Sequence, residues 1–233
     1  MKYSIAIPTY NESENIAELL ELLAKVLKGR DYEIIIADDD SPDRTWEIVE
    51  EAAKRDSRVR SLRRVGVERG LSPSVVDAFD QAEGDILAVM DGDMQHDESY
   101  LPALLDAAEA ADIVVGSRRA KGGGVEGGWP ISRRLASASA ATAAKILLGT
   151  TVSDPMSGYF AVKRSFYRDI RGDLDPKGFK ILLELLYLGR KRGAEIAEIG
   201  IFFRSRRAGK SKLGPKVVLQ YFASLLKMRF ARK

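Results

Sequence analysis

The sequence predicts an α/β fold: one domain built on a mostly parallel sheet with helices on both faces. Three observations carry that prediction. Short apolar runs suited to buried strands alternate with amphipathic helical segments through the first half of the chain. Two of those runs end abruptly in carboxylates, as strands do when a sheet gathers ligands along one edge. The composition, 45% hydrophobic and 30% charged over 233 residues, belongs to a folded chain with a sizeable core and not to a disordered one.

Residues 3–7 form the first predicted strand, stopped by Pro8, after which Asn11, Glu12, Ser13 and Glu14 open an amphipathic helix to about Leu27. Residues 33–37 form the second strand; it ends in Asp38, Asp39 and Asp40 and leads into a helix over 45–54. Acids at a helix N-terminus suit its dipole, which accounts for Asp43 better than for the three acids before it. A third strand is expected at 59–63, then a loop holding Gly70, then a helix over 73–82. The fourth strand starts at Ile86 and runs into Asp91, Gly92, Asp93, Met94, Gln95 and His96. If the extended backbone persists, Asp91 and Asp93 leave the same face. Two converging carboxylates repel unless a cation lies between them, and Mg²⁺ or Mn²⁺ with oxygen ligands fits best. Solvated acids at a strand corner are the alternative.

A helix over 99–110 returns to a strand at 113–117. Residues 118–129 are glycine-rich, with arginines at one end and Trp129 at the other, and read as a mobile lid or substrate loop, or as a plain surface linker. A helix of small residues over 130–148 puts Arg133 and Ser137 one turn apart on one face. A turn at 154–158, a strand at 159–163, an apolar helix over 179–189 around Glu184 and a last strand over 195–203 complete the elements. Glu184 needs a partner there, either a structural ion pair with an arginine or a ligand. A basic loop over 204–214 follows, suited to phosphate or simply solvated. In the tail, 215–233, Val218, Tyr221, Phe222, Leu225 and Leu226 fall at helical spacing while Lys227, Arg229, Arg232 and Lys233 cluster at the end. Such a helix either lies on an anionic membrane surface or packs on the core.

The formal net charge is only +3, but acids dominate before Asp97 and bases dominate 118–134 and 204–233, which points to an anionic partner for the C-terminal part. With no cysteine and one histidine, disulfides, thiolate chemistry and a His/Cys zinc site are excluded. No Gly-x-Gly-x-x-Gly opens the first helix and no Walker pattern occurs, so a nucleotide would have to be held by carboxylates and a metal. Nucleic-acid binding lacks interleaved aromatics and a strongly basic balance. The chain opens directly into a strand with no signal-peptide pattern and no run of about 20 apolar residues. A cytoplasmic protein, peripheral at the cytoplasmic face of a membrane, is expected.

Pro8, Thr9, Tyr10, Asn11 and Glu12, the strand-end Asp38 and Asp39, the Asp91–Gly–Asp93–Met–Gln95–His96 motif, Gly116–Ser–Arg118, and Arg206, Gly209, Ser211 and Lys212 stand in an order that resembles the family-two glycosyltransferases of GT-A fold, in particular the dolichyl- or polyprenyl-phosphate mannose synthases. The resemblance implies one GT-A domain over 1–214, with a nucleotide half at about 1–115 and an acceptor half at about 116–214, and a basic amphipathic helix over 215–233. It implies that Pro8, Tyr10, Glu12 and Asp39 hold the donor nucleoside and that Asp91, Asp93 and Gln95 bind Mg²⁺ or Mn²⁺ on its diphosphate. Arg118, Arg133, Ser137, Arg206 and Lys212 match positions expected at the acceptor or donor phosphates, with Asp91, Asp93, Arg118 and Lys212 the expected catalytic set. The implied activity is inverting transfer of mannose from GDP-mannose to a dolichyl or polyprenyl phosphate, with an integral-membrane protein as a possible partner. A UDP-glucose-type donor, or a catalytically silent nucleotide-sugar-binding subunit, are the alternatives. The family commonly has Ala where Gly92 stands and a Gly-x-Gly where Gly70, Leu71 and Ser72 stand; the role of that loop is left open. His96 either orients diphosphate or makes a structural hydrogen bond.

Overall fold

In a computed structural model the described residues are 1–128, 131–205 and 215–230, with the side chains of 131–136, 215–220, 222 and 224 outside the description. Strands β1 (Lys2–Thr9), β2 (Asp31–Asp38), β3 (Val59–Arg63), β4 (Ile86–Val89), β5 (Ile113–Ser117), β7 (Phe160–Lys163) and β8 (Ile196–Gly200) form one sheet in the order β3-β2-β1-β4-β7-β5-β8. All are parallel except β7, which runs antiparallel between β4 and β5. A small second ribbon pairs β6 (Gly124–Val125) with β9 (Phe202–Phe203). The mostly parallel, two-sided sheet expected from the strand–helix alternation is therefore present.

Side-chain alternation along the strands divides the core into two layers. Ile5, Ile7, Ile34, Ile36 and Ala88 face α1 (Ile16–Val26), α2 (Thr45–Arg55) and α4 (Leu101–Ala110). Ala6, Ile35, Leu87, Val89 and Phe160 face α3 (Leu71–Asp80), α6 (Arg164–Ile170) and α7 (Ile181–Arg192). In α1 the buried positions Ile16, Leu19, Leu20 and Leu23 lie at helical spacing, with Glu18 and Glu21 on the other face. Helix α5 (Ile131–Leu148) packs with α7 and α8 (Pro215–Phe230) around Ala144, Leu148, Leu183, Leu225 and Met228.

Two segments differ from the sequence reading. Part of the glycine-rich stretch is held as β6: the Gly124 N–H donates to the Ile201 carbonyl (3.0 Å) and the Glu126 N–H to that of Phe203 (2.9 Å). The strand expected over 195–203 is broken at Ile201 into β8 and β9, so one stretch serves two sheets. The tail helix turns two different faces to its surroundings. Leu225 is buried against α5 and α7, and the Tyr221 hydroxyl donates to the Ala140 carbonyl (3.0 Å), while Leu226 is exposed. Among the described residues no helix is long and apolar enough to cross a membrane.

Candidate active site

Because β1, β2, β4, β5 and β8 point the same way, the loops at their carboxyl ends collect on one edge of the sheet. The three consecutive acids at the end of β2 do three separate things there. Asp38 is fully buried and accepts hydrogen bonds from Thr9 Oγ1 (2.8 Å), the Ser41 N–H (2.8 Å) and Ser41 Oγ (2.7 Å), which ties β1 to β2. Asp39 is buried and accepts from Arg64, Ser74 Oγ (3.0 Å) and the Gly70 N–H (2.8 Å). Asp40, in the left-handed region, pairs with Arg63, whose guanidinium lies 3.6 Å from the Trp46 ring centroid. Asp39, expected at the nucleoside, is thus anchored from three directions.

Gly70 explains the loop that the sequence left open. Its φ of +150° and ψ of +156° belong to a region essentially reserved for glycine, and that backbone aims its N–H at Asp39. Ser72 then joins two helix starts: its hydroxyl accepts from the Lys180 and Ile181 N–H groups (3.0 and 3.1 Å) at the head of α7. Tyr10 is half-buried beside Arg69, whose guanidinium lies 5.2 Å from its ring centroid. Pro8, near the end of β1, and Glu12, in the loop after it, are half-buried, and the Glu12 carboxylate accepts from Asn15 Nδ2 (2.8 Å).

The extended backbone does not persist past Val89, so the same-face argument for Asp91 and Asp93 fails in its geometry. The residues enter a turn in which Met94 adopts φ +62°, unusual for a bulky side chain, and is held there by burial in the core. The turn lets the Gln95 N–H donate back to Asp93 Oδ1 (3.1 Å). Asp93 is buried, whereas the Asp91 side chain is 31% exposed and lies against Gly158, just before β7. A Cβ on Gly158 would come within 2.8 Å of Asp91 Oδ2, so glycine permits that approach.

His96 is 2% exposed, stacked on Tyr159 (5.0 Å between centroids) with Phe203 edge-on (5.2 Å). Its Nδ1 accepts the Asp91 N–H at 3.0 Å. Burial, reinforced by the Arg118 charge, pushes its pKa down to about 3, so the ring is neutral at physiological pH. Of the two roles left open by sequence, the structure therefore displays a structural hydrogen bond.

On the other side of the edge Arg118 forms a two-pronged pair with the buried Asp154, Nε to Oδ2 at 2.6 Å and Nη2 to Oδ1 at 2.8 Å. Burial works against the Asp154 charge, but the Arg118 hydrogen bonds outweigh it and hold the carboxyl below its usual range. Arg119, not singled out by sequence, reaches from the loop after β5 to α5 and donates through Nη2 to Ser137 Oγ (2.7 Å). Its only sequence signal was adjacency to Arg118. Trp129, Arg206 and Lys212, and the side chain of Arg133, lie outside the described residues. The partner of Glu184 is not an arginine but Lys180, one turn before it, and Glu184 also accepts the Asp175 N–H (3.1 Å); burial still raises its pKa.

Asp91, Asp93 and Gln95 offer hard oxygen donors, suited to Mg²⁺ or Mn²⁺. Among the described residues no group of three or more His, Cys, Asp or Glu could hold a metal. Two carboxylates and an amide fit an ion that completes its shell with water and phosphate oxygens, as Mg²⁺ usually does.

A model of the family described as glycosyl transferase family 2 matches residues 4–171. The dolichol-phosphate mannosyltransferase of Pyrococcus furiosus is 40% identical over 231 residues, 98% of this chain and 64% of its own length. The chain thus spans just under two thirds of that relative. The dolichol-phosphate mannosyltransferase of Saccharomyces cerevisiae is 36% identical over 97% of this chain and 86% of its own. The undecaprenyl-phosphate mannosyltransferase of Micrococcus luteus is 32% identical over 94% and 90%. Among solved structures, glucosyl-3-phosphoglycerate synthase from Mycobacterium tuberculosis, in complex with Mn²⁺, UDP and glucosyl-3-phosphoglycerate, has a TM-score of 0.75 at 22% identity, covering 100% of this chain and 81% of that one. That likeness concerns the fold, and the fold is GT-A. With the family model matched from β1 into the turn after α6, and relatives 32–40% identical over nearly its whole length, the chain belongs to glycosyl transferase family 2.

Proposed function

We propose that this chain transfers mannose from GDP-mannose to a dolichyl or polyprenyl phosphate, with inversion at the anomeric carbon. The observation that carries the reading is the state of the groups that would otherwise act as a general base. A sugar hydroxyl must lose a proton as it attacks and needs a positioned base. Here the one histidine is buried, and its Nδ1 lone pair already accepts the Asp91 N–H. Asp154 is held by Arg118, and the Glu198 carboxylate accepts from the Ser153 N–H and hydroxyl (both 2.8 Å). A lipid monophosphate arrives already anionic and needs only orientation and charge neutralisation. The names of the relatives support the same acceptor class and the same sugar.

In this reading residues 1–115 hold the donor, with Tyr10, Pro8 and Glu12 around the nucleoside and Asp39 fixing the loop beneath it. Asp91, Asp93 and Gln95 would hold a divalent ion, which when bound neutralises charge on the departing diphosphate. Residues 116–214 receive the acceptor: Arg119 and Ser137, with Arg133, Arg206 and Lys212, orient its phosphate, and the Asp154-held Arg118 shapes the wall beside them. A phosphate oxygen attacks the anomeric carbon in line, and the bond from that carbon to the nucleoside diphosphate breaks. Membrane contact is assigned to the α5–α8 pair, which exposes Ile146, Leu226 and Phe230 beside Lys145, Lys227 and Arg229. Replacing Leu226 and Phe230 by Asp should abolish flotation with anionic vesicles; undiminished flotation would remove this assignment.

The acceptor reading is tested by offering a short polyprenyl phosphate and the matching polyprenol with GDP-mannose. Mannolipid from the phosphate alone is expected. Equal transfer to the alcohol would mean that a base has been missed.

A further inference from the structure

The motif at 91–96 is stitched to the far end of the chain by one residue that belongs to no part of the proposed machinery. The Arg204 N–H donates to the Gln95 carbonyl (2.8 Å), and Gln95 Nε2 donates to the Arg204 carbonyl (3.2 Å). Its guanidinium spans two more acids of the same loop, Nη1 to Glu98 Oε2 at 2.8 Å and Nη2 to Asp97 Oδ1 at 2.9 Å. Glu98 is buried, and Asp97 also caps the short turn behind it by accepting the Ser99 N–H (2.9 Å). The bridge between His96 and Phe203 lies just before this clasp, and just after it the Ser205 N–H donates to Glu126 Oε2 (2.7 Å).

We infer that Arg204 is a positioning residue for metal binding: its ion pairs with Asp97 and Glu98 hold its main chain against Gln95, and so fix the direction of the Gln95 amide. An amide that donates through Nε2 presents Oε1 as its ligand atom, so the hydrogen bond to Arg204 decides which end of Gln95 the metal meets. The pairing also offsets two of the four carboxylates, Asp91, Asp93, Asp97 and Glu98, that crowd this loop, where a diphosphate must approach. Partners that orient metal ligands in this way are generally worth about 10–100-fold in metal affinity. The inference rests on the assignment of Asp91, Asp93 and Gln95 as the metal-holding set.

The test is Mn²⁺ binding to the full chain in the presence of GDP, read by the loss of the free-ion EPR signal, with no turnover involved. R204M should weaken Mn²⁺ by about 10-fold or more. Because R204M leaves the buried Glu98 without its cation and is at risk of misfolding, D97N/E98Q/R204M, which removes all three charges together, is measured beside it. The same loss of affinity is expected from that folded variant. Q95A should weaken binding in the wild type and add little in D97N/E98Q/R204M, since both act through one ligand. Unchanged Mn²⁺ affinity in the folded triple variant, or full additivity with Q95A, overturns the inference while leaving the metal site intact. No Mn²⁺ binding by the wild type, or binding untouched by D93N, refutes the metal site itself and the inference with it.

Discussion

Asp154→Asn is the substitution whose outcome the geometry determines most fully. Asp154 is 1% exposed and receives two side-chain bonds from Arg118 at 2.6 and 2.8 Å and one from the Arg118 N–H at 3.2 Å. An asparagine keeps one acceptor oxygen but turns an NH₂ toward a guanidinium N–H, so a buried charge loses its counter-ion and two donors face each other. Breaking such a pair costs about 3–5 kcal/mol. Arg118 keeps 13% side-chain exposure and its position 5.3 Å from the Phe203 ring centroid, which places the expected loss at the lower end, about 3 kcal/mol. For a chain of this size that is a fall of about 6–12 °C in Tm. The assay is thermal unfolding of D154N, R118M and R118M/D154N, with the double variant recovering part of the loss because no unpaired charge remains. The pH dependence has a definite sign. A carboxyl whose pKa is lower folded than unfolded contributes stability that is complete above its ordinary value near ~4 and disappears as pH falls through the folded value. D154N should therefore lose its deficit relative to wild type in strong acid. A Tm within about 2 °C of wild type at neutral pH, or strictly additive variants, would refute the role given to this pair.

Three further outcomes follow from the same geometry. Asp93→Asn should lower metal-dependent transfer by about 100-fold or more, and unchanged turnover would refute the metal assignment. His96, neutral when folded with a pKa of about 3, makes the protein lose stability as pH falls from about 6.5, by about 2 kcal/mol at pH 5; H96Q should flatten that slope in urea titrations, and an unaltered slope would contradict a buried neutral ring. Gly70→Ala forces a Cβ onto a backbone with φ of +150° and should cost about 1–3 kcal/mol, seen as a lower urea midpoint; an unchanged midpoint would mean that the loop relaxes without strain.

The alternation of strands and helices was legible because it is written in local periodicity, and so were the carboxylates at the ends of β2 and β4. What was not legible depends on contacts far apart in sequence. The residues of β7 read as a strand, but nothing local says that it inserts antiparallel between β4 and β5 and so delivers Gly158 and Tyr159 to Asp91 and His96. The left-handed turn at Met94 is imposed by burial of its side chain and is invisible to an argument from alternation. Nothing local in the run Asp38, Asp39 and Asp40 told their partners apart, and Asp39 was singled out only by resemblance; the contacts to Thr9, Arg64 and Arg63 separate the three. Helix α6, seven residues long, went unread because so short a segment carries little periodicity. Arg119 was passed over in favour of its neighbour, and only the approach of α5 shows that it is Arg119 that reaches Ser137.

The proposed activity is metal-dependent transfer to a lipid phosphate. Its most direct measurement is product formation on a short polyprenyl phosphate with GDP-mannose or UDP-glucose, in Mg²⁺ or Mn²⁺ and again in EDTA. Mannolipid formed only with GDP-mannose, and lost in EDTA, is the predicted result. Lipid product only from the UDP-sugar would contradict the donor, and product undiminished by EDTA would contradict the role given to Asp91, Asp93 and Gln95.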